Sequence, residues 1–176
     1  MQPVIYDVAV SLVGFISGPD GDISRFAQAG PVVDDYAARL GGYGTAIMGR
    51  KTYEFGYAYG LTPGQTPYPH MDTLVFSRGL RLPEGSPVSV VSGQWAEALR
   101  ALKSRANRPI YLCGGGAFAG WALDHGLIDR LILKRAPVCY GAGVPLFGGA
   151  TQPRDVTRLS VRTYDNGYLL ETFALA

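Results

Sequence analysis

The sequence predicts a single α/β domain whose central sheet is mostly parallel, is flanked by helices and ends in an antiparallel hairpin. Short apolar segments rich in β-branched residues alternate with segments of helical periodicity along most of the chain. The last two apolar segments are instead separated only by Asp165-Asn166-Gly167, a sequence typical of a hairpin turn. The 176 residues contain no linker-like stretch, so we expect one domain over residues 1–176.

Residues 1–70 hold two predicted strands and two predicted helices. Residues 4–13 form a continuous apolar run typical of a buried strand, and residues 15–30 contain Gly18-Pro19-Asp20-Gly21 and are expected to form a loop. Two aspartates at the start of 34–40 favour a helix N-terminus there. We expect a short buried strand at 45–48, a helix that opens over 52–55, and a long aromatic loop over 56–70.

The second half continues the alternation. We predict strands at 73–76, Val88–Val91, 110–113 and 130–136. The helix predicted at Trp95–Arg105 places Trp95, Leu99 and Leu102 on one face, and Ser92 lies near its cap. Trp95 and Trp121 are both expected in the core. Gly114-Gly115-Gly116 leads into a predicted helix over 117–125, where His125 is expected to serve the C-terminus. The hairpin strands are predicted at 156–164 and 168–174, joined by a type I′ turn.

Composition excludes several classes of function. Hydrophobic residues make up 47% and charged residues 17% of the chain, a balance that excludes intrinsic disorder. A net charge of +2 without a basic cluster does not fit a nucleic-acid binder. The N-terminus has no signal-peptide pattern, and the charge-free stretch 136–151 falls short of the ~18 apolar residues of a membrane helix. We therefore expect a cytoplasmic protein without nucleic-acid or membrane partners.

The two cysteines give no sign of a disulfide framework or a metal centre. Cys113 and Cys139 both lie in apolar runs, and no second Cys or His falls at zinc-ligand spacing. We expect two buried thiols in a reducing compartment and no metal site.

Three predicted strand ends carry groups that bind anions. Gly49-Arg50-Lys51-Thr52 follows one strand, Ser77-Arg78 follows another, and Gly114-Gly115-Gly116 follows a third and opens a helix. In open α/β sheets, ligands bind at the carboxyl ends of the strands, which favours a shared phosphate site. The alternative for each segment alone is an ordinary junction with solvated cations.

Neither familiar phosphate motif is complete. Arg50 is inserted before Lys51-Thr52, so the segment is not a nucleoside-triphosphate loop. Gly114, Gly116 and Ala119 fit the permissive G-x-G-x-x-A pattern. The next strand, however, ends in Lys134-Arg135 where a dinucleotide-binding unit carries an acid.

The order of these segments resembles the dihydrofolate reductase superfamily, and more closely a stand-alone form of the reductase C-terminal domain of riboflavin biosynthesis. The matching segments, in family order, are SLVGFISGPDG at 11–21, MGRKTYE at 48–54, FSR at 76–78, GGG at 114–116 and GAGVPLF at 141–147. The resemblance implies a three-layer dihydrofolate-reductase-like fold over the whole chain, NADPH as cofactor and a homodimer.

The resemblance also implies a set of cofactor-binding residues. Arg50, Lys51, Ser77 and Arg78 would hold the adenosine 2′-phosphate, and Thr52 the pyrophosphate. Gly114-Gly115 would correspond to the cis peptide of the family. The residues expected near the nicotinamide are Val10, Ile16 and Gly18, and the flanking members of the set are Gly49, Phe76, Cys113, Gly116, Ala117 and Phe118.

The resemblance implies hydride transfer to a C=N or C=O bond of a small pterin- or pyrimidine-like heterocycle. Asp35 or Asp34 is the predicted proton relay, with a helix N-terminal carboxylate meeting the helix dipole as the alternative. Tyr53, Tyr57 and His70 are predicted to bind substrate, and Tyr59 to line the same pocket, with packing of the loop as the alternative for the aromatic residues.

The chain departs from its relatives at informative positions. Val13 stands where riboflavin-type reductases carry Asp, the chain has no zinc-deaminase pattern, and the Trp-containing loop of folate enzymes is missing. A true dihydrofolate reductase and a non-catalytic NADP(H)-binding protein therefore remain alternatives.

Overall fold

The computed structural model describes residues 1–175 as ten strands, four α-helices and two short 3-10 turns. The strands are β1 (Val4–Val10), β2 (Phe15–Ser17), β3 (Thr45–Gly49), β4 (Asp72–Phe76), β5 (Val88–Val91), β6 (Ile110–Gly114), β7 (Arg130–Arg135), β8 (Val144–Pro145), β9 (Val156–Thr163) and β10 (Leu169–Leu175). The helices are α1 (Pro31–Leu40), α2 (Arg50–Phe55), α3 (Trp95–Arg105) and α4 (Gly116–Asp124), and the 3-10 turns are Pro19–Gly21 and Gly56–Tyr59.

Eight strands form one sheet in the order β5-β4-β3-β6-β1-β7-β10-β9. The first six in this order pair in parallel, whereas β10 is antiparallel to β7 and β9 is antiparallel to β10. The predicted mostly parallel sheet with an antiparallel C-terminal hairpin is therefore confirmed. Because the parallel strands share one direction, the ends of β1, β3, β4 and β6 meet at one edge of the sheet.

The sheet buries both of its faces because alternate residues of each strand point to opposite sides. On one face, Tyr6 and Leu112 pack with Leu99 of α3 and Phe118 of α4. On the other face, Met48, Tyr111 and Ile5 pack with Tyr53 of α2 and with Tyr36 and Leu40 of α1. The predicted helices on both sides of the sheet are thus observed.

Several predicted boundaries were wrong. β1 ends at Val10 because the chain turns at Gly14 (φ 87°), which leaves Leu12 and Val13 52% and 56% exposed. The predicted loop 15–30 contains β2, which pairs with β8. α1 and α2 begin earlier than predicted, at Pro31 and Arg50, and α3 is preceded by Gln94 without a side-chain cap, so Ser92 does not cap it.

The hairpin turn also differs from its prediction. A type I′ turn needs positive φ at two consecutive central residues, but only Gly167 of the 165–167 loop has positive φ (83°). The Gly167 N–H donates to the carbonyl of Tyr164, and the Tyr164 N–H donates to the carbonyl of Tyr168. The connection is therefore a three-residue loop that ends in a left-handed glycine.

The two thiols and the two tryptophans are less buried than predicted. Cys139 is exposed and Cys113 is half-buried, because Cys139 lies in the irregular segment after β7 rather than in a strand. Trp95 and Trp121 are half-buried and pack against the core under α3 and α4 rather than inside it. Among residues 1–175, no helix combines the length and apolar character needed to span a membrane.

Candidate active site

The three predicted anion-binding segments lie together at the carboxyl ends of adjacent strands. β3 lies between β4 and β6, with Gly49 paired to Phe76 and Met48 paired to Gly114. α2 therefore begins beside the Ser77-Arg78 segment on one side and beside the start of α4 on the other. Residues that are distant in sequence thus form one continuous rim, which we call the glycine rim and which consists of Gly49–Thr52, Ser77-Arg78 and Gly114–Gly116.

Glycines bring side chains close to the backbone at the centre of this rim. The Gly114–Gly115 peptide is cis, as the resemblance implies. A Cβ atom on Gly115 would lie 2.7 Å from Thr52 Oγ1, and one on Gly49 would lie 3.1 Å from Phe118 Cβ. The Thr52 hydroxyl therefore lies against the backbone that opens α4.

The N-terminus of α4 has no capping side chain. Its N-cap residue is Gly115, so the first N–H groups of this nine-residue helix receive no side-chain acceptor. Free N–H groups and the positive end of the helix dipole favour a bound anion.

Two arginines and a buried serine flank the glycines. A Cβ atom on Gly79 would lie 3.5 Å from Arg50 Nη1, so this guanidinium reaches the segment after β4 while its Nε donates to Glu54 at 2.7 Å. Ser77 Oγ accepts the N–H groups of Gly79 (3.2 Å) and Leu80 (3.0 Å), which leaves its own O–H as a donor. Arg78 and Lys51 are exposed.

An aromatic cavity of about 260 Å³ adjoins Arg78. The Arg78 guanidinium lies 5.9 Å from the Trp95 ring centroid, and the Trp95 and Trp121 rings meet edge-on at 5.4 Å. His125 Nδ1 lies 2.8 Å from the Trp121 carbonyl oxygen, which confirms its predicted place at the C-terminus of α4. Sequence reasoning missed this cavity because it assigned both tryptophans to the core.

A larger cavity of about 490 Å³ lies between the first loop and the turn after α2. Its lining consists of the 19–24 segment with Gln28, Phe55, Ala58 and Tyr59. Of the three residues predicted near the nicotinamide, Gly18 packs against the Tyr140 ring and Ile16 is half-buried in β2. Val10 is buried on the face under α3 and α4.

The residues predicted to bind substrate make contacts that stabilise the fold. The buried Tyr53 hydroxyl donates to the Gln65 carbonyl (2.8 Å) and accepts the Gly64 N–H (2.9 Å). Tyr57 is half-buried and meets the Tyr53 ring edge-on at 5.6 Å. His70 Nε2 lies 3.0 Å from the carbonyl oxygen of Leu40, at the end of α1. Their contact with substrate stays a prediction.

The predicted proton relay lies away from the glycine rim. Asp35 accepts hydrogen bonds from Arg162 Nη1 (2.5 Å) and from the Tyr164 hydroxyl (2.6 Å), which joins α1 to the C-terminal hairpin. Asp34 is exposed in the first turn of α1. The catalytic role of both residues stays a prediction. Asp34 lies in the first turn of α1, as the helix-dipole alternative expects, whereas Asp35 follows that turn and binds the hairpin.

A buried charged cluster, which sequence reasoning missed, lies on the face of the sheet under α1. The Asp7 side chain is fully buried and accepts hydrogen bonds from Arg39 Nε (2.8 Å), Lys134 Nζ (3.1 Å) and the Tyr43 hydroxyl (3.2 Å). Lys134 Nζ lies 3.3 Å from the Tyr36 ring centroid. We call these five residues the Asp7 cluster.

The Asp7 cluster continues toward the glycine rim. The Tyr36 and Tyr111 hydroxyls are 2.5 Å apart, and the Tyr68 hydroxyl lies 3.2 Å from Cys113 Sγ. Cys113 directly precedes the cis peptide, and burial raises the pKa of its thiol. The sequence signal that indicates the cluster is a charge at a buried strand position, Asp7 in VIYDVAV and Lys134 in RLILKR.

Comparison with known proteins places the chain among relatives of the same architecture. A 2.12 Å crystal structure of a candidate riboflavin biosynthesis protein from Shewanella sp. PV-4 superposes with a TM-score of 0.83 at 21% identity, covering 100% of this chain and 99% of that one. A deaminase/5-amino-6-(5-phosphoribosylamino)uracil reductase from Thermotoga maritima gives 0.75 at 17% identity. The superposition covers 99% of this chain but only 57% of the Thermotoga protein. The two structures share the dihydrofolate-reductase-like fold expected from the sequence.

Sequence comparison gives the family. The uncharacterized protein YwjB of Bacillus subtilis is 32% identical over 148 residues, which are 83% of this chain and 82% of YwjB. The RibD C-terminal domain matches residues 2–170, nearly the whole length. The chain therefore belongs to the RibD C-terminal domain family.

Proposed function

We propose that the protein is an NADPH-dependent reductase that transfers hydride to a C=N or C=O bond of a small pyrimidine- or pterin-like heterocycle. Membership of the RibD C-terminal domain family supports a reductase, and a structural neighbour is named as a 5-amino-6-(5-phosphoribosylamino)uracil reductase. The observation that carries the proposal is the glycine rim, where uncapped backbone at α4, Thr52 and two arginines face one another.

The residues of the rim fit a phosphorylated dinucleotide. Arg50, Lys51 and Arg78, with the Ser77 hydroxyl, would hold a 2′-phosphate, for which cations are better suited than the acid of an NAD site. Thr52 and the first N–H groups of α4 would hold the pyrophosphate. The aromatic cavity beside Arg78 would take the adenine ring. When bound, the cofactor supplies the hydride.

The larger cavity is the proposed place of the part of the substrate that is not reduced. Phe55 and Tyr59 are exposed along its wall, and flat rings of this kind stack on a planar heterocycle. Asp20 and Asp22 lie on the same lining and make it acidic rather than basic. The chain's task at this site is to hold the substrate ring in a fixed orientation and to limit access of water.

Calorimetric titration with NADPH and NADH at moderate salt tests the proposal. We expect NADPH to bind at least ~10-fold more tightly than NADH, and Arg50→Ala to weaken NADPH binding by about 10- to 100-fold, because a charge-assisted hydrogen bond contributes about 1.5–3 kcal/mol. Arg105→Ala is the matched control, because Arg105 is exposed at the far end of α3.

The outcomes separate the alternatives. Absence of NADPH binding by the folded protein would rule out the reductase. NADPH binding without oxidation by any carbonyl or imine acceptor would favour a non-catalytic NADP(H)-binding protein. Efficient turnover of dihydrofolate would identify a true dihydrofolate reductase.

A further inference from the structure

We propose that Lys134, held in place by Asp7, donates the proton to the nitrogen or oxygen atom of the substrate bond that is reduced. This inference rests on the proposed function and adds to it the acid that the sequence did not reveal. Lys134 touches the substrate in this proposal, whereas Asp7 acts through Lys134 and is a positioning residue.

The topology places Lys134 beside the glycine rim. β1 lies between β6 and β7, so Cys113 of β6 and Lys134 of β7 flank β1. Lys134 is paired with Ala9, one residue before Val10 at the end of β1. The Lys134 side chain is 10% exposed, and its neighbours Tyr36 and Cys113 are half-buried, so this cluster reaches the surface beside the cis peptide.

The hydrogen bonds distinguish the roles of the two residues. Both Asp7 oxygens are occupied: Oδ1 accepts from Lys134 and Arg39, and Oδ2 accepts from Arg39 and Tyr43. The Lys134 ammonium has three N–H groups and gives one to Asp7, while the Tyr36 ring covers another side. Lys134 therefore retains an N–H for an acceptor atom of a ligand, and Asp7 retains no free lone pair.

The surroundings of Lys134 make its ammonium a usable acid near neutral pH. Burial lowers the pKa of Lys134 to about 8, and the Arg39 charge acts in the same direction, whereas Asp7 opposes both. β10 contributes only the apolar Leu170 at the Lys134 register. The charged and titratable groups that act on this lysine are Asp7 of β1, Arg39 of α1 and Cys113 of β6, and the Tyr36 ring of α1 lies against its ammonium.

The proposed step balances with a reduced nicotinamide as hydride donor. Hydride adds to the substrate carbon, the π bond of C=N or C=O breaks, and its electron pair moves to the nitrogen or oxygen. That atom takes a proton from the Lys134 ammonium, and water then reprotonates the neutral amine. General-acid catalysis of this type contributes about 10²–10⁴-fold to the rate, and a donor with a pKa near the working pH is the most effective.

A titration followed by NMR tests the acid directly and without turnover. The chain has only three lysines, Lys51, Lys103 and Lys134, so [ε-¹³C]lysine labelling gives three signals that Lys→Arg variants assign. We expect the Lys134 signal to titrate with a midpoint near pH 8, well below the ~10.4 of an unperturbed lysine. With NADP⁺ and uracil present, we expect the Lys134 signal to shift and the Lys103 signal to stay in place.

Kinetic variants test whether the proton is used. The acceptors are 7,8-dihydropterin, which offers a C=N bond, and 5-formyluracil, which offers a C=O bond. Lys134→Arg keeps the charge beside Asp7 but cannot lose a proton in this range, so we expect kcat to fall ~100-fold or more with unchanged NADPH affinity. Lys134→Met should lose kcat equally. Lys103→Arg, which changes an ion pair with Asp129 elsewhere, should stay within ~2-fold of wild type.

The results separate this inference from the proposed function. Any one of three results would overturn the inference and leave NADPH binding unaffected. They are a Lys134 titration midpoint at or above pH 10, a Lys134 signal that does not shift when uracil is added, and full kcat in Lys134→Arg. A protein that does not bind NADPH fails the proposed function, whatever the pKa of Lys134. We expect wild-type kcat to fall as the pH rises above about 8, because the protonated form of Lys134 is then lost.

Discussion

Gly116 lies where the start of α4 meets the segment that carries β8. A Cβ atom at this position would collide with the carbonyl oxygen of Pro145, and the Gly148 N–H donates to the Gly116 carbonyl at 3.0 Å. We expect Gly116→Ala to lower the free energy of unfolding by about 1–3 kcal/mol, because backbone cannot move aside as a flexible side chain can. Urea denaturation measures this change.

Gly141→Ala is the matched control for this substitution. Gly141 lies in the same segment of chain and does not require positive φ. A Cβ atom added there would have no other atom within 4 Å. Unchanged stability in Gly116→Ala would contradict the tight packing between α4 and the β8 segment.

Single residues were predictable where their partners are close in sequence. The Gly49–Thr52 and Gly114–Gly116 segments predict an anion site because the backbone N–H groups and polar side chains that would bind the anion are neighbours along the chain. Asp7 and Lys134 are separated by 127 residues, and their ion pair exists only because β1 and β7 are adjacent. Asp35 was placed correctly on a helix, but its partners Arg162 and Tyr164 come from the distant hairpin.

The C-terminal hairpin depends on one glycine of its turn. Gly167 has φ 83°, and a Cβ atom there would lie 3.2 Å from Pro137 Cγ. We expect Gly167→Ala to destabilise the protein by about 1–2 kcal/mol, because a left-handed conformation is costly for any residue with a Cβ atom. Thermal or urea unfolding measures the loss.

Gly93→Ala serves as the control for the turn. Gly93 precedes α3 with open space around its Cβ position and without positive φ, so its substitution should be neutral or slightly stabilising. Equal stability of the two variants would show that the turn relaxes without cost.

Strands and helices were predicted correctly where the periodicity of apolar residues is unambiguous. The residues at which they begin and end were not predicted. The apolar Leu12 and Val13 extended the predicted first strand, although both are exposed after Val10. The sequence of a strand does not tell whether its last apolar residues reach the core. β2 and β8 escaped prediction because they are two or three residues long and exist only by pairing with each other.

At the scale of the whole molecule, β9 is the exposed edge of the eight-stranded sheet. All eight residues of β9 are exposed, and Val156, Leu159 and Val161 are among them. An unpaired edge with apolar side chains is a place where a second strand adds. The resemblance implies a homodimer, and β9 is the element that we expect to form its interface.

Light scattering after size-exclusion chromatography tests this interface. We expect wild type to elute as a dimer and Val161→Lys to shift toward the monomer, because a charged side chain opposes edge-to-edge pairing. Ser89→Lys, which places the same charge on the opposite edge strand β5, should leave the dimer intact. A monomeric wild type at ~100 µM, a concentration well above the ~1 µM affinity of a modest interface, would refute the homodimer.

The type of sheet was predictable from the sequence, but the order of its strands was not. Alternating strand and helix patterns predicted a parallel sheet, and the resemblance fixed the family. The sequence did not show that β1 lies between β6 and β7, and this adjacency brings Cys113, Asp7 and Lys134 to one face. The glycine rim followed from local motifs, whereas the Asp7 cluster required the fold.

The exposure of Cys139 gives the native chain a selective attachment point for a spectroscopic label. Cys113 is hydrogen-bonded to Tyr68, and burial raises the pKa of its thiol, which slows alkylation there. Cys139 is exposed and adjoins Tyr140, whose ring packs against Gly18 and meets Phe26 edge-on at 5.7 Å. A fluorophore or fluorine tag on Cys139 therefore reads the conformation of the first loop in real time, with every native residue of the two cavities left in place.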